Sequence, residues 1–224
     1  MSAALDHLVV VAATLDEGVA WCERTLGITP GPGGQHALMG THNRLFSIAS
    51  ADFPLAYCEI IAIDAAAPAP GRRRWFDMDD AALQERVRRE GPQLAHWVAR
   101  VDDARAAVAA LQAHDIDRGE VLAASRPTPQ GLLQWQITVR PDGQRLFDGL
   151  LPTLIQWGDV HPAAAMPPSG ITLAALELQH PQAEALNAAG AALELVTLRA
   201  RQGPVRLSAR LHTPSGVLDI VSGG

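Results

Sequence analysis

A β-α-β-β-β pattern recurs three times along the chain, and this repeat constrains the fold more than any other feature of the sequence. The copies cover residues 5–63, 93–157 and, in a weaker form, 171–221. Repeated supersecondary units usually pack against one another, because one unit alone cannot bury its hydrophobic face. The repeat therefore predicts an α+β fold in which paired βαβββ modules form curved mixed sheets around a concave pocket.

The first copy carries the clearest local signals. LDHLVVV predicts a strand, and Thr14 and Glu17 form a T-x-x-E capping box at the start of the next helix, which Gly27 ends. Three strand-like runs follow, at 35–39, 44–49 and 57–63.

The pattern divides the chain into four segments. They are a first module (1–63), a linker with a short helix (64–92), a second module (93–160) and a shorter βαβββ-like third unit (171–224). We expect the third unit to pack on the same domain as the two modules.

Composition excludes several classes of partner. The 224 residues carry a formal net charge of −6, so there is no general basic field for a nucleic acid. No apolar run reaches the length of about 18 residues that a membrane-spanning helix needs. Two cysteines are too few for a disulfide framework. We expect a cytoplasmic protein that binds a small-molecule substrate and neither nucleic acid nor membrane.

Four polar residues occupy matched positions in the first two copies. His7 and His96 lie on the first strands, and Glu59 and Gln156 lie on the last strands. Two facing modules would bring these side chains to one point, where they suit a divalent ion such as iron, manganese, nickel, cobalt or zinc. The alternative for each histidine is a half-buried residue satisfied by backbone groups, and an amide is a poorer metal ligand than a carboxylate.

Further candidates flank the predicted hairpins. His36, His42 and Asn43 lie around the turn at Gly40, where they either contact substrate or simply serve the turn geometry. Arg126 precedes the equivalent connection in the second copy, and it either anchors an acidic group of the substrate or forms a surface salt bridge.

The motifs DHLVV, YCEII and LAHWV in paired modules resemble the vicinal oxygen chelate superfamily, which includes glyoxalases, extradiol dioxygenases, epimerases and antibiotic-resistance binding proteins. More narrowly, GGQHALMGTHNRLFSI, SRPTPQGLLQWQITV and LLPTLIQWG resemble the glyoxalase-like domain family. The resemblance covers nearly the whole chain.

This resemblance implies a metal site formed by His7, Glu59, His96 and Gln156, although Gln156 departs from the usual Glu. It implies a divalent-metal-dependent enzyme of the lyase, isomerase or dioxygenase type that acts on a small oxygenated metabolite, with Glu59 as a catalytic base. The alternative is a metal-free binding or sequestering protein. Paired-module proteins often form homodimers, but here both modules share one chain, so the oligomeric state is left open.

Overall fold

The protein is described here by a computed structural model that covers residues 3–128, 131–195 and 199–222. The strands are β1 (Ala4–Val11), β2 (Gln35–His36), β3 (Thr41–Ser47), β4 (Tyr57–Ile63), β5 (Gln93–Arg100), β6 (Glu120–Thr128), β7 (Gly131–Val139), β8 (Thr153–Trp157), β9 (Thr172–His180), β10 (Ala200–Gln202), β11 (Arg206–Thr213) and β12 (Gly216–Val221). The α-helices are α1 (Leu15–Trp21), α2 (Ala81–Glu90), α3 (Ala104–Gln112) and α4 (Ala183–Ala192).

Eight strands form one sheet in the order β2-β3-β4-β1-β5-β8-β7-β6. The first strands of the two modules, β1 and β5, pair antiparallel at its centre. In each module the first strand also runs parallel to the last strand, β1 to β4 and β5 to β8. The predicted α+β class with paired βαβββ modules is confirmed.

The two faces of the large sheet have different neighbours. On the outer face Leu8 and Ile60 join a core that includes the α3 residues Ala107 and Leu111. On the inner face Val9 belongs to a second core, which includes α2 and several aromatic side chains. The helices α1 and α3 begin at side-chain caps, because Thr14 Oγ1 accepts from the Glu17 N–H and Asp103 accepts from two N–H groups of α3.

The segment between the modules crosses the inner face. It carries Trp75 and Phe76, which are buried there with Met78, and it leads into α2. Phe76 and the next residue, Asp77, have φ angles of 59° and 58°, a left-handed conformation that is uncommon for residues other than glycine. This segment therefore forms a fixed wall opposite the sheet.

The third unit forms a separate sheet in the order β10-β9-β11-β12, with α4 following β9. Its buried leucines belong to the same core as the outer face of the large sheet. Two backbone hydrogen bonds join it to the first module, from Ala3 N–H to Leu193 O and from Leu173 N–H to Ile48 O. The sequence LELVTLRA (193–200) predicts a strand in this unit, but it falls partly on 196–198, outside the described residues; β10 begins at Ala200.

None of the helices in the described part of the chain combines the length and the hydrophobicity that crossing a lipid bilayer requires.

Candidate functional site

A pocket opens on the inner face of the large sheet. Its polar lining residues are His7, His36, Asn43, Glu59 and Arg126. Aromatic and aliphatic side chains make up the rest of the wall, including Trp75, Trp135 and Trp157. A mostly apolar concave site with a few converging polar groups is the usual form of a small-molecule pocket.

His7 is oriented by a hydrogen bond to the preceding residue, Asp6. The Nδ1 atom of His7 lies 2.6 Å from Oδ1 of Asp6, so the ring donates its Nδ1–H to this carboxylate. The other ring nitrogen, Nε2, then faces Glu59, with 3.6 Å between Nε2 and Oε2. Tyr57 stacks on the imidazole ring at a centroid distance of 4.6 Å. The orientation of His7 and the proton on its Nδ1 are therefore fixed by packing and by Asp6.

Asp6 is fully buried, and its second oxygen accepts two further hydrogen bonds. Trp157 Nε1 and His161 Nε2 both lie 2.9 Å from Oδ2. His161 Nδ1 accepts from the Ala163 N–H, so its proton must be on Nε2. Burial alone would raise the pKa of Asp6, but the hydrogen bonds from His161 and His7 outweigh it and hold this pKa well below its usual value.

Asp6 and His7 reach the same side of the sheet because the strand is irregular here. The pairing of β1 with β5 shifts register between Leu5 and His7. Regular alternation would place two successive residues on opposite faces, whereas an irregularity of this kind changes which way a side chain points.

Glu59 is buried, and it is anchored through one oxygen only. Its Oε1 accepts a hydrogen bond of 2.5 Å from Asn43 Nδ2, and Asn43 Oδ1 in turn accepts from the Gly34 N–H. His36 completes this group, with Nε2 3.3 Å from Asn43 Nδ2 and Nδ1 3.0 Å from Thr41 Oγ1. Burial lowers the pKa of His36 to about 4, and the charge of Arg126 acts in the same direction, so this ring is neutral near pH 7.

His96 is fully buried, and both of its ring nitrogens are engaged. Nδ1 donates to Gly149 O at 2.8 Å, and Nε2 accepts from the backbone N–H of Thr153 at 3.1 Å and lies 3.0 Å from its hydroxyl. Phe76 lies against the ring at 5.3 Å. Burial, followed by the charges of Arg118 and Arg145, lowers the pKa of His96 well below its usual value. His96 has no free nitrogen to offer a metal ion.

The strand register identifies the counterpart of Glu59, and it is not Gln156. Val9, two residues after His7, pairs with Glu59 in the parallel pair β1–β4. Val98, two residues after His96, pairs with Thr153 in the parallel pair β5–β8. Gln156 instead uses Oε1 to accept from the Ala104 N–H at the start of α3. The four predicted metal ligands therefore do not converge.

The donor set does not fit the four-ligand metal site that the family resemblance implies. Only His7 Nε2 and Glu59 Oε2 face each other, and His36 Nε2, 3.9 Å from Glu59 Oε1, already contacts Asn43. Within residues 3–128, 131–195 and 199–222, no three His, Cys, Asp or Glu side chains are placed to share one ion. A metal centre usually needs three or four protein ligands.

The predicted substrate contacts divide into two groups. His36, Asn43 and Arg126 lie in the pocket wall. His42 does not: its Nδ1 lies 4.0 Å from Asp64 Oδ2, and it follows the alternation of β3 to the face opposite Asn43.

Sequence reasoning missed several residues of the site. They are Asp6, Trp75, Thr153 and His161. Asp6 had one signal, its position beside His7. Thr153 and His161 lie close to Gln156 in the sequence, but no local pattern marks them, and Trp75 lies in the segment between the modules.

Two βαβββ modules joined at their first strands, with polar residues in the wall of a largely apolar pocket, define the structural class of this α+β protein. The glyoxalase-like domain family matches residues 5–194, and the chain belongs to this family. The resemblance inferred from the motifs is thus confirmed. A comparison with curated protein sequences finds no significant match.

Solved structures include proteins of similar fold. The chain is similar to a hypothetical protein from Staphylococcus aureus, with a TM-score of 0.59, 15% identity and coverage of 100% of this chain and 87% of that chain. It is also similar to a methylmalonyl-CoA epimerase in complex with methylmalonyl-CoA and NH4+ (TM-score 0.45, 16% identity, 75% and 100% coverage). A variant of the Streptomyces coelicolor methylmalonyl-CoA epimerase in complex with 2-nitronate-propionyl-CoA gives a TM-score of 0.44 at 16% identity, with 70% and 96% coverage. At these identities the similarity concerns the fold alone.

Proposed function

We propose that this protein is an enzyme that transfers a proton on a small oxygenated metabolite, in a reaction of the isomerase or lyase type. One observation carries the proposal: Glu59 Oε2 and His7 Nε2 lie 3.6 Å apart in the wall of a pocket, and the buried carboxylate of Asp6 holds His7. A carboxylate and an imidazole side by side are a common pair of general acid–base groups.

The two oxygens of Glu59 have different roles in this proposal. Asn43 holds Oε1, which fixes the plane of the carboxylate. The 3.6 Å between Oε2 and His7 is longer than a hydrogen bond, so Oε2 is available to take a proton from a carbon atom of the substrate. Glu59 is therefore the base.

His7 is suited to stabilise the anion that results. Because Nδ1–H points at Asp6, the exchangeable position is Nε2, which faces the pocket beside Glu59. A proton on Nε2 can be donated to the developing oxyanion of the substrate, and Asp6 stabilises the charged ring while it carries that proton.

The proposal contains no metal-dependent step, because the donor set does not fit a metal centre. The dioxygenase type predicted from the sequence needs a redox metal held by several protein ligands, and the described residues supply only two that face each other. The isomerase and lyase types need only proton transfer.

Solvent exchange tests the proposal and does not require the product to be identified. Small 2-oxo acids and their amides are incubated with the enzyme in D2O, and deuterium entry beside the carbonyl is followed by NMR. We expect Glu59→Gln to lower the exchange rate by roughly 100-fold or more, the usual contribution of a general base. Glu184→Gln, at an exposed position of α4, is the matched control. Equal rates for wild type and Glu59→Gln would contradict the proposal.

A metal-free binding protein is the second candidate, and the apolar lining favours it. Trp135 and Trp157 lie 5.8 Å apart in the pocket wall, a surface that suits binding of a flat ligand. This candidate predicts ligand binding with no exchange above the uncatalysed rate in either wild type or Glu59→Gln.

A further inference from the structure

Two hydrogen-bond donors in the pocket wall have no acceptor. Nη1 of Arg126 and Nε1 of Trp75 are both buried, and neither has a hydrogen-bond partner among the described residues. Trp75 is 7% exposed, and both residues line the pocket. Buried donors are almost always paired in folded proteins, so two orphans in one pocket indicate groups that a ligand completes.

Arg126 lies over the backbone of Gly34. Arg126 belongs to β6 and pairs with Leu133, another lining residue. A Cβ atom on Gly34 would overlap Nη1 of Arg126 and would lie 2.7 Å from its Cζ. No carboxylate of the described chain forms an ion pair with Arg126, so its charge is left for a ligand. Gly34 is thus the residue that leaves room for this guanidinium.

Trp75 is held in place from two sides. Its ring stacks on Phe76 at 5.3 Å and meets the edge of His36 at 5.1 Å. Two residues further along the chain, Asp77 is fixed by an ion pair between its Oδ2 and Arg145 Nε at 2.8 Å. The indole N–H is therefore preorganised, and a ligand need not order it.

The charges in the pocket limit the ligand to one negative charge. Arg126 is a single cation, and the Glu59 carboxylate shares the same pocket. A dianion such as a phosphate ester would place its second charge near Glu59, where the His7 ring is already paired with Asp6. A carboxylate has one charge and two acceptor oxygens, which match one guanidinium and one indole N–H.

We propose that Arg126 and Trp75 bind the carboxylate of a substrate that is a small monocarboxylic acid with an apolar body. This rests on the proposed function, because it names the substrate class of the same site. The aromatic and aliphatic wall would hold the apolar body, while Glu59 and His7 act on the part of the molecule nearest to them.

Binding of benzoate tests this inference, with benzamide and phenyl phosphate as matched probes. We expect saturable binding of benzoate by calorimetry, with benzamide and phenyl phosphate at least 10-fold weaker. Arg126→Met should weaken benzoate binding at least 10-fold, and Trp75→Phe should weaken it several-fold. Phenyl phosphate binding as tightly as benzoate, or benzoate binding that Arg126→Met leaves unchanged, would overturn the inference.

Gly34→Ala provides a test that keeps every charge in the pocket. The added methyl group displaces the Arg126 guanidinium, so benzoate binding should fall as it does for Arg126→Met. Gly71→Ala is the control, because a Cβ there meets no atom within 4 Å. Thermal unfolding of each variant verifies that it is folded, and a Gly34→Ala protein that is folded and binds benzoate normally contradicts the inference.

Failure of the inference is distinguishable from failure of the proposed function. Glu59→Gln should still bind benzoate, because Glu59 is not one of the carboxylate's two partners. Normal benzoate binding without proton exchange would reject the enzyme and keep the carboxylate site. Proton exchange that Arg126→Met leaves intact would keep the proposed enzyme activity and reject the carboxylate site.

Discussion

His96 Nε2 lies 3.1 Å from the backbone nitrogen of Thr153 and 3.0 Å from its hydroxyl, at the place where the other half of the sheet has His7 facing Glu59. The two halves thus carry the same strand framework with different chemistry at its centre. In one half a histidine and a carboxylate border a pocket. In the other half the histidine is fully hydrogen-bonded and covered by Phe76.

The buried histidines make the fold sensitive to acid. His36 has a folded pKa of about 4, below its usual value of 6.5, so the unfolded chain binds more protons between these two pH values. The free energy of unfolding should therefore fall as the pH is lowered from 6.5 to 4, by about 3 kcal/mol for this group. His36→Gln should flatten the pH dependence of urea unfolding, whereas the exposed control His212→Gln should not. Parallel curves for wild type and His36→Gln would refute this prediction.

Asp6→Asn should impair proton transfer because it removes the negative charge that stabilises the protonated ring of His7. The amide oxygen still accepts from Trp157 and His161, which turns the amide NH2 toward His7 Nδ1 and moves the ring proton to Nε2. We expect exchange to fall roughly 100-fold, with the protein still folded. Imidazole nitrogen shifts in NMR report the tautomer directly. Exchange by folded Asp6→Asn within about twofold of wild type would contradict this mechanism.

Gln156→Leu distinguishes the metal-ligand role that the sequence predicts for this residue from the helix-capping role that the geometry supports. Gln156 Oε1 caps the Ala104 N–H of α3, so losing it should lower the free energy of unfolding by about 1 kcal/mol, a typical cost for a lost helix cap. Proton exchange per folded molecule should stay within about twofold of wild type. A large loss of exchange with no change in stability would instead place Gln156 at the reaction centre.

Divalent ions should not stabilise the protein. A ligand that binds only the folded state raises stability in proportion to the logarithm of its concentration over Kd, so a tight metal site would appear as a melting temperature that keeps rising with the logarithm of the ion concentration. We expect no such rise with iron, manganese, nickel, cobalt or zinc ions, and no loss of exchange after treatment with a chelator. A rise with ion concentration that disappears in His7→Ala would restore the metal site predicted from the sequence.

The order of strands and helices along the chain and the ends of the helices were predictable, because both depend on local sequence signals. The Thr14 cap and the left-handed Gly27 at the end of the first helical segment are examples, and both are confirmed by the geometry. Gln156 illustrates what local signals leave out. Leu154 and Ile155 on β8 are both buried, on opposite faces of the sheet, so alternation of polar and apolar residues does not mark the pocket side. Only the pairing of β8 with β5 identifies Thr153 as the counterpart of Glu59.

The partners of Asp6 come from distant parts of the sequence, and proximity along the chain gives no guide to them. His161 lies beyond the last strand of the second module, in the connector that leads to the third unit, and Pro162 beside it lines the pocket. A chain shortened to end at Trp157 would keep the eight strands of the large sheet, His7 and Glu59, yet it would lack one of the three groups that hold Asp6. The unit that holds Asp6 is therefore longer than the two paired modules, because His161 of the connector that follows them helps to keep the pKa of Asp6 low.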